Sequence, residues 1–153
     1  LLVAAVMGPG QASAITVISI ATLPLFIRVV RSVTLGVAGR GFVTAAEVAG
    51  ASTLRVMIVH LLPNVMGAVM VQLTYALSIG MIIESALSFL GLGVQPPDAS
   101  LGSLLRQGSA YLTIAPWMVL SSGMVLSLAI MSVNLVGDAV RDALEPLKGR
   151  PLT

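Results

Sequence analysis

The 153-residue chain is 57% hydrophobic and 9% charged, with a mean hydropathy of +1.03; an ordinary soluble domain carries about 25% charged residues, so a fully water-exposed globular surface is excluded. Cysteine is absent and histidine occurs once, which removes disulfide frameworks, Cys-based metal sites and His clusters, so no catalytic or metal-binding residue is assigned. The isoelectric point near 9.7 reflects a formal net charge of only +2, and the basic residues stand between apolar runs rather than in one patch, which points to membrane orientation instead of nucleic acid.

Three runs without Lys, Arg, Asp or Glu organise the sequence, at 1–27, 56–83 and 107–137. Each exceeds the ~20 apolar residues that cross a ~30 Å hydrocarbon core. Gly8-Pro9-Gly10 interrupts the first run, so residues 1–7 are expected to end one span and 12–30 to form a complete one. Pro24 is expected to kink that span, since neighbouring groups in a bundle can satisfy the carbonyl it frees. The chain opens at Leu1 inside an apolar run and is read as truncated at its N-terminus, so earlier segments are not judged.

Residues 40–62 are expected to form a compact segment between spans. Phe42, Ala45, Ala46 and Ala49 fall at i, i+3, i+4 and i+7, which predicts a helix over 42–49 with a small apolar face, while Thr44 and Glu47 share another. Gly50 suits a left-handed turn at its end. Ser52 is expected to cap a second helix in which Leu54, Met57, Ile58, Leu61 and Leu62 repeat at helical spacing, with Pro63 ending it. A helix as short as 42–49 is marginal alone in water, where ~12–15 residues are needed, so it requires a surface. The pattern admits two: the lipid interface, or a groove of another protein that the small side chains let approach closely.

A second complete span is expected over 64–83, its first turn capped by Asn64. ESALSFLGLGVQPP follows it and leads into an external loop over 90–112. The third complete span, over 115–137, opens with Pro116 at an early helical position and has Tyr111 and Trp117 as interfacial aromatics. A polar tail covers 138–153. Arg28, Arg31, Arg40 and Arg55 lie in the first connection, Arg106 in the second, and Arg141, Lys148 and Arg150 in the tail. The positive-inside rule then places 40–62 and the tail in the cytoplasm and the 90–112 loop outside.

Several side chains invite more than one reading. Glu84 abuts the end of a membrane run, where a carboxylate either hydrogen-bonds to hold the following SFLGLG turn or lines a path. Gln72, Thr74, Tyr75 and Ser78 either face a pore or bond between helices. Asn134 and Asp138, at i and i+4, are expected to cap and anchor the inner end of the last span. His60, with no second His, no Cys and no acid pair beside it, is expected to pack or to sit at the interface. The chain has no G-x-x-x-x-G-K-[ST] phosphate loop, so it has no such cradle for nucleotide. GVAGRG, residues 36–41, lacks the following Lys and is read as a flexible approach to 42–49. Nothing matches the G-x-S-x-G nucleophile elbow, which leaves serine hydrolase chemistry without a framework.

The stretch TAAEVAGASTLRVMIVHLLPN, residues 44–64, resembles the cytoplasmic EAA loop of ABC importer permeases: Glu-Ala-Ala, three residues, Gly, nine residues, Ile, one residue, Leu-Pro. Ala45, Ala46, Gly50, Leu62 and Pro63 match at that spacing, whereas Thr44 stands for the first Glu and His60 for the Ile. The HxLPN form is similar to that of the dipeptide, oligopeptide and nickel permeases. The segments 84–97, 115–117 and 134–146 look like the C-terminal half of the same subfamily.

This resemblance implies an all-α polytopic transmembrane helical bundle in a bacterial or archaeal inner membrane. It implies half the translocation path of an ATP-driven importer of peptides or nickel-like small solutes, and no enzyme activity in this chain. Its implied partners are a second, similar permease, two cytoplasmic ATPases that use ATP and Mg, an extracytoplasmic solute-binding protein and the lipid bilayer, with no cofactor bound by the chain itself. By position, Thr44, Ala45, Ala46, Glu47 and Gly50 would form the face that docks on the ATPase, with Leu62 and Pro63 anchoring the return to the membrane. Thr44 removes the acid the family carries there, and Glu47, about one helical turn on, is the expected substitute. Gln72, Tyr75 and Glu84 are the candidates for the path. The rival classes are an ion-driven transporter, which needs paired ionisable groups near the midplane where only Glu84 is available, and a non-transporting scaffold.

Overall fold

The computed structural model describes residues 2–144; the greater part of the expected tail, with Lys148 and Arg150, lies outside the described residues. Every regular element among the described residues is helical. Helix α1 spans Leu2–Met7, α2 Gln11–Ala38 and α3 Gly41–Val48; a single turn, α4 at Thr53–Arg55, passes through a π-helical stretch at Val56–Leu61 into α5, Leu62–Phe89; α6 spans Leu101–Ser109 and α7 Trp117–Leu144.

Among the described residues three rods are long and apolar enough to cross a membrane: α2 and α7 at 28 residues each, and the continuous run Thr53–Phe89 at 37. At 1.5 Å per residue, 28 residues extend about 42 Å, well beyond a ~30 Å hydrocarbon core. Only 11%, 17% and 6% of their most apolar windows are buried within the chain, in chain order. Apolar faces this open are faces for lipid or for other helices, since water would penalise them.

The helices outrun the expected spans of 12–30, 64–83 and 115–137. Arg28, Glu84 and Asp138 end the apolar runs but not the hydrogen-bond ladders, because a helix that leaves the hydrocarbon keeps its internal bonds while its side chains become polar. Helix α2 is continuous through Pro24. The start of α7 falls one residue after Pro116, whose carbonyl accepts from the Leu120 N–H at 3.2 Å.

One element was not expected, and one expected break is corrected. The 90–112 segment contains α6, fixed by a capping box in which the Ser103 N–H donates to Ser100 Oγ at 3.2 Å and the Ser100 N–H donates to Ser103 Oγ at 2.9 Å. Pro63 does not end a helix, because the preceding turns widen to π geometry and carry the helix past it.

The chain divides into two compact units, residues 1–24 with 76–134, and residues 25–75 with the chain from Leu135 on. In the first, Ala14 and Leu87 are buried together, with Val17, Ile83 and Leu92 packed against them. Its other buried groups are small: Ser13, Ser78, Ser85, Ser88 and Ser122. A Cβ on Gly102 would run into the Ser85 carbonyl, so glycine there lets α6 lie directly on the α5 backbone. Small residues that admit close backbone approach are the usual packing device between membrane helices. In the second unit the buried apolar side chains are Val37, Val43, Val56 and Val65, and a Cβ on Gly137 of α7 would collide with the Thr74 side chain of α5.

Candidate functional site: the 40–64 segment and the polar groups along the spans

Helix α3 begins after Arg40, which is extended and makes no side-chain cap, and runs Gly41–Val48, one residue earlier than the expected 42–49. Its end is a Schellman motif. The Ala51 N–H reaches back to the Ala46 carbonyl at 3.1 Å and the Gly50 N–H to the Glu47 carbonyl at 2.9 Å. Gly50 takes φ +83° to close it, a conformation that costs an L-residue with a Cβ roughly 1–2 kcal/mol.

Only Val43 of α3 is buried. Thr44, Ala45, Glu47 and Gly50 are exposed, Ala46 is half-buried, and Val48 is 84% exposed. The stripe of Phe42, Ala45, Ala46 and Ala49 is therefore divided: Ala45 and Ala49 are exposed and Ala46 is half-buried, while the side chain that α3 buries is Val43. A two-turn helix presenting small and apolar side chains outward leaves a surface for something else to cover.

The contact behind α3 is the π stretch. The Phe42 ring lies 6.5 Å from the His60 ring, tilted by 55°. His60 is half-buried and Val56 is 97% covered. His60 thus packs against Phe42; among the described residues no group of three or more His, Cys, Asp or Glu side chains gathers.

The π geometry follows from Pro63. In an α-helix proline would leave the carbonyl four residues back without a donor and press its ring on it. Here the Leu62 N–H bonds instead to the Met57 carbonyl, five residues back. Asn64 does not act as the expected acceptor cap of α5: its side-chain amide donates to the His60 carbonyl at 2.8 Å, bringing a donor to the turn that proline weakens. Ser52 occupies the N-cap position of α4 without a side-chain cap bond. Leu62, 47% exposed, and Pro63 both sit in the first turn of α5. The structure thus gathers Thr44, Ala45, Ala46, Glu47, Gly50, Leu62 and Pro63 in the one unit that contains 25–75.

The polar residues of α5 divide. Gln72 is half-buried and Tyr75 is 52% exposed, and both belong to the unit containing 25–75, whereas Glu84 belongs to the other. Thr74 donates to the Met70 carbonyl at 2.6 Å in its own helix. Ser78 Oγ donates to Asn134 Oδ1 at 2.9 Å, tying α5 to α7. Asn134 is therefore an interhelical acceptor within a helix that continues to Leu144, not the terminal cap expected with Asp138.

Glu84 accepts from Ser88 Oγ at 2.6 Å, and Ser88 Oγ in turn accepts from the Val94 N–H at 3.2 Å. Gln95 Nε2 adds bonds to the Gly91 and Gly93 carbonyls at 3.1 and 3.0 Å. Together these hold the turn that closes α5. Ser88, the most buried side chain of the chain's described residues at 2%, was not singled out from sequence; its position four residues after Glu84 on the same helix face is the signal that marks it.

Residues 1–150 match the family model described as binding-protein-dependent transport system inner membrane component. The chain is 40% identical over 144 residues to the di/tripeptide transport system permease protein DppC of Pseudomonas aeruginosa, covering 94% of this chain and 48% of that protein. It is 34% identical over 146 residues to the dipeptide transport system permease protein DppC of Haemophilus influenzae, covering 95% and 50%. To the glutathione transport system permease protein GsiD of Escherichia coli O6:K15:H31 it is 36% identical over 148 residues, covering 96% and 49%. The chain thus spans about half the length of the curated relatives it matches. Membrane-length helices joined through small-residue contacts accord with this match, and the chain belongs to the binding-protein-dependent inner membrane components, among the ABC importer permeases of the dipeptide/oligopeptide group.

Proposed function

We propose that the chain forms part of one half of the translocation path of an ATP-driven peptide importer and couples that path to a separate ATPase through α3. The observation that carries this reading is the construction of α3. Its outward side chains are Thr44, Ala45, Glu47 and Val48, it is closed by the Gly50 turn, and it is backed by Phe42 against His60 on the rod that becomes α5. A short helix so held can be pushed as a unit and pass the push to a span.

In this reading Thr44, Ala45, Ala46, Glu47 and Gly50 meet the ATPase, and Leu62 and Pro63 carry the return into the membrane. Glu47 is the acid available in place of Thr44. The positive-inside rule puts this segment in the cytoplasm, with Arg28, Arg31, Arg40 and Arg55 around it. The partners are a second, similar permease, two ATP-binding subunits that hold ATP and Mg, and an extracytoplasmic solute-binding protein. The names of the relatives favour peptide cargo, from dipeptides to glutathione, over nickel. Gln72 and Tyr75 are candidates for lining the path, because among the described residues neither side chain bonds to another helix and both lie within the apolar run of α5. Glu84 is committed to the turn after α5.

Uptake of a labelled dipeptide, measured in membranes where the phosphate-loop lysine of the ATPase has been replaced, tests this reading against ion-driven transport. Uptake is expected to vanish. Uptake that persists at the original rate overturns ATP coupling.

A further inference from the structure

The π-helical stretch Val56–Leu61 is the irregular feature that the coupling reading leaves unused. π geometry is rare, well under 1% of residues, and occurs mostly as single-turn insertions at functional sites. This one stands between the short helix α3 and the long span α5, on a rod that runs unbroken from Thr53 to Phe89.

Its closing hydrogen bond is in the π register. The Leu62 N–H reaches Met57, five residues back; the α register would send it to Ile58. Pro63 opposes that change because it has no N–H to give Val59. The Asn64 side chain, bonded to the His60 carbonyl at 2.8 Å, supplies a donor on the same turn. The two registers therefore differ by few hydrogen bonds, and Pro63 biases the resting choice. An α-helix turns about 100° per residue, so absorbing or expelling the extra residue of a π turn re-aims everything before it relative to everything after. What lies before it includes the packing partner of α3: Phe42 rests on His60 within the stretch, and Val56 at its start is buried.

We propose that Val56–Leu61 is a register switch, π-helical in the resting transporter and α-helical when the ATPases close, which converts a push on α3 into rotation of the rod that becomes α5. The switch rests on the coupling reading above. Closure of the ATPases moves α3, the Phe42–His60 contact drags the π turn, and the Leu62 N–H changes partner from Met57 to Ile58. Pro63 returns the segment to the π register once the push is released.

The test is a pair of structures of the assembled full-length transporter, one without nucleotide and one with ATP and vanadate, read for the acceptor of the Leu62 N–H. The expected result is Met57 in the first and Ile58 in the second, with the ATPase seated on Thr44–Gly50 in both. The same acceptor in both states, with the ATPase seated, overturns the switch and leaves the coupling reading standing; an ATPase seated elsewhere overturns both. Pro63→Ala supplies a functional arm. Removing the bias toward π should lower dipeptide uptake per ATP hydrolysed about fivefold, one hydrogen bond's worth of bias in a two-state equilibrium. An unchanged ratio in an assembled complex contradicts the switch.

Discussion

Ser78 and Asn134, 56 residues apart in sequence, share a hydrogen bond of 2.9 Å between α5 and α7. Among the described side chains it is a direct polar link between two membrane-length helices, and Ser78 is buried around it. Interhelical bonds of this kind average about 0.6 kcal/mol and reach ~1.7. Asn134→Leu is expected to lower the thermal unfolding midpoint of the purified full-length permease by a few degrees while preserving its helical content. An unchanged midpoint would assign Asn134 no part in holding the helices together.

Gly102 permits the contact between α6 and α5, because the backbone of Ser85 occupies the space a side chain would need. Gly102→Val cannot be relieved by a rotamer change, since the obstacle is backbone. It is expected to detach α6, read as lost hydrogen-exchange protection over 101–109 with the protection of α5 largely retained. Full protection of α6 in the variant would mean that the two helices are held by other contacts.

Glu84 and Ser88 separate two roles for a carboxylate at the end of a span. Ser88 both donates to Glu84 and accepts from the Val94 N–H, so Ser88→Ala takes that partner from two half-buried groups. A fully buried group left unpaired costs about 1–3 kcal/mol and a half-buried one less, and a loss of stability is expected. Glu84→Gln keeps an oxygen to accept from Ser88, and transport is expected to stay within about twofold of the parent, a change below 0.5 kcal/mol in barrier height. Loss of uptake by Glu84→Gln in an assembled, stable complex would instead place the carboxylate on the path.

How much of this was legible in the sequence varies with the length of the signal. The rods α2, α5 and α7 could be read because runs of apolar residues longer than a bilayer is thick have few alternatives. Their ends could not, because charged residues such as Arg31 or Asp138 mark where hydrocarbon stops and not where a hydrogen-bond ladder stops. Helix α3 and its Gly50 turn were legible to within one residue, from helical spacing followed by glycine. The face it turns inward was not: Val43 is buried by packing on a segment ten and more residues later, and periodicity within α3 carries no record of that. Helix α6 was missed, since Gly102 and Gly108 lower its helical signal and its capping box uses Ser103 where Glu or Gln is usual. Pro63 misled because the rule that proline ends a helix omits the π adjustment that lets one pass. The family was legible from the spacing of Ala45, Ala46, Gly50, Leu62 and Pro63, which does not depend on which face is buried.

Coupling through α3 is most directly tested by proximity. Because these 153 residues hold no cysteine, Ala46→Cys in a full-length permease cleared of any cysteine outside them, held in native membranes, gives one thiol in this subunit for a short crosslinker. Capture of a cytoplasmic ATPase, strengthened or weakened as nucleotide is varied, is the expected result. A thiol that labels readily from the cytoplasm yet captures no ATPase in any nucleotide state would make α3 a helix resting on lipid and contradict the coupling role.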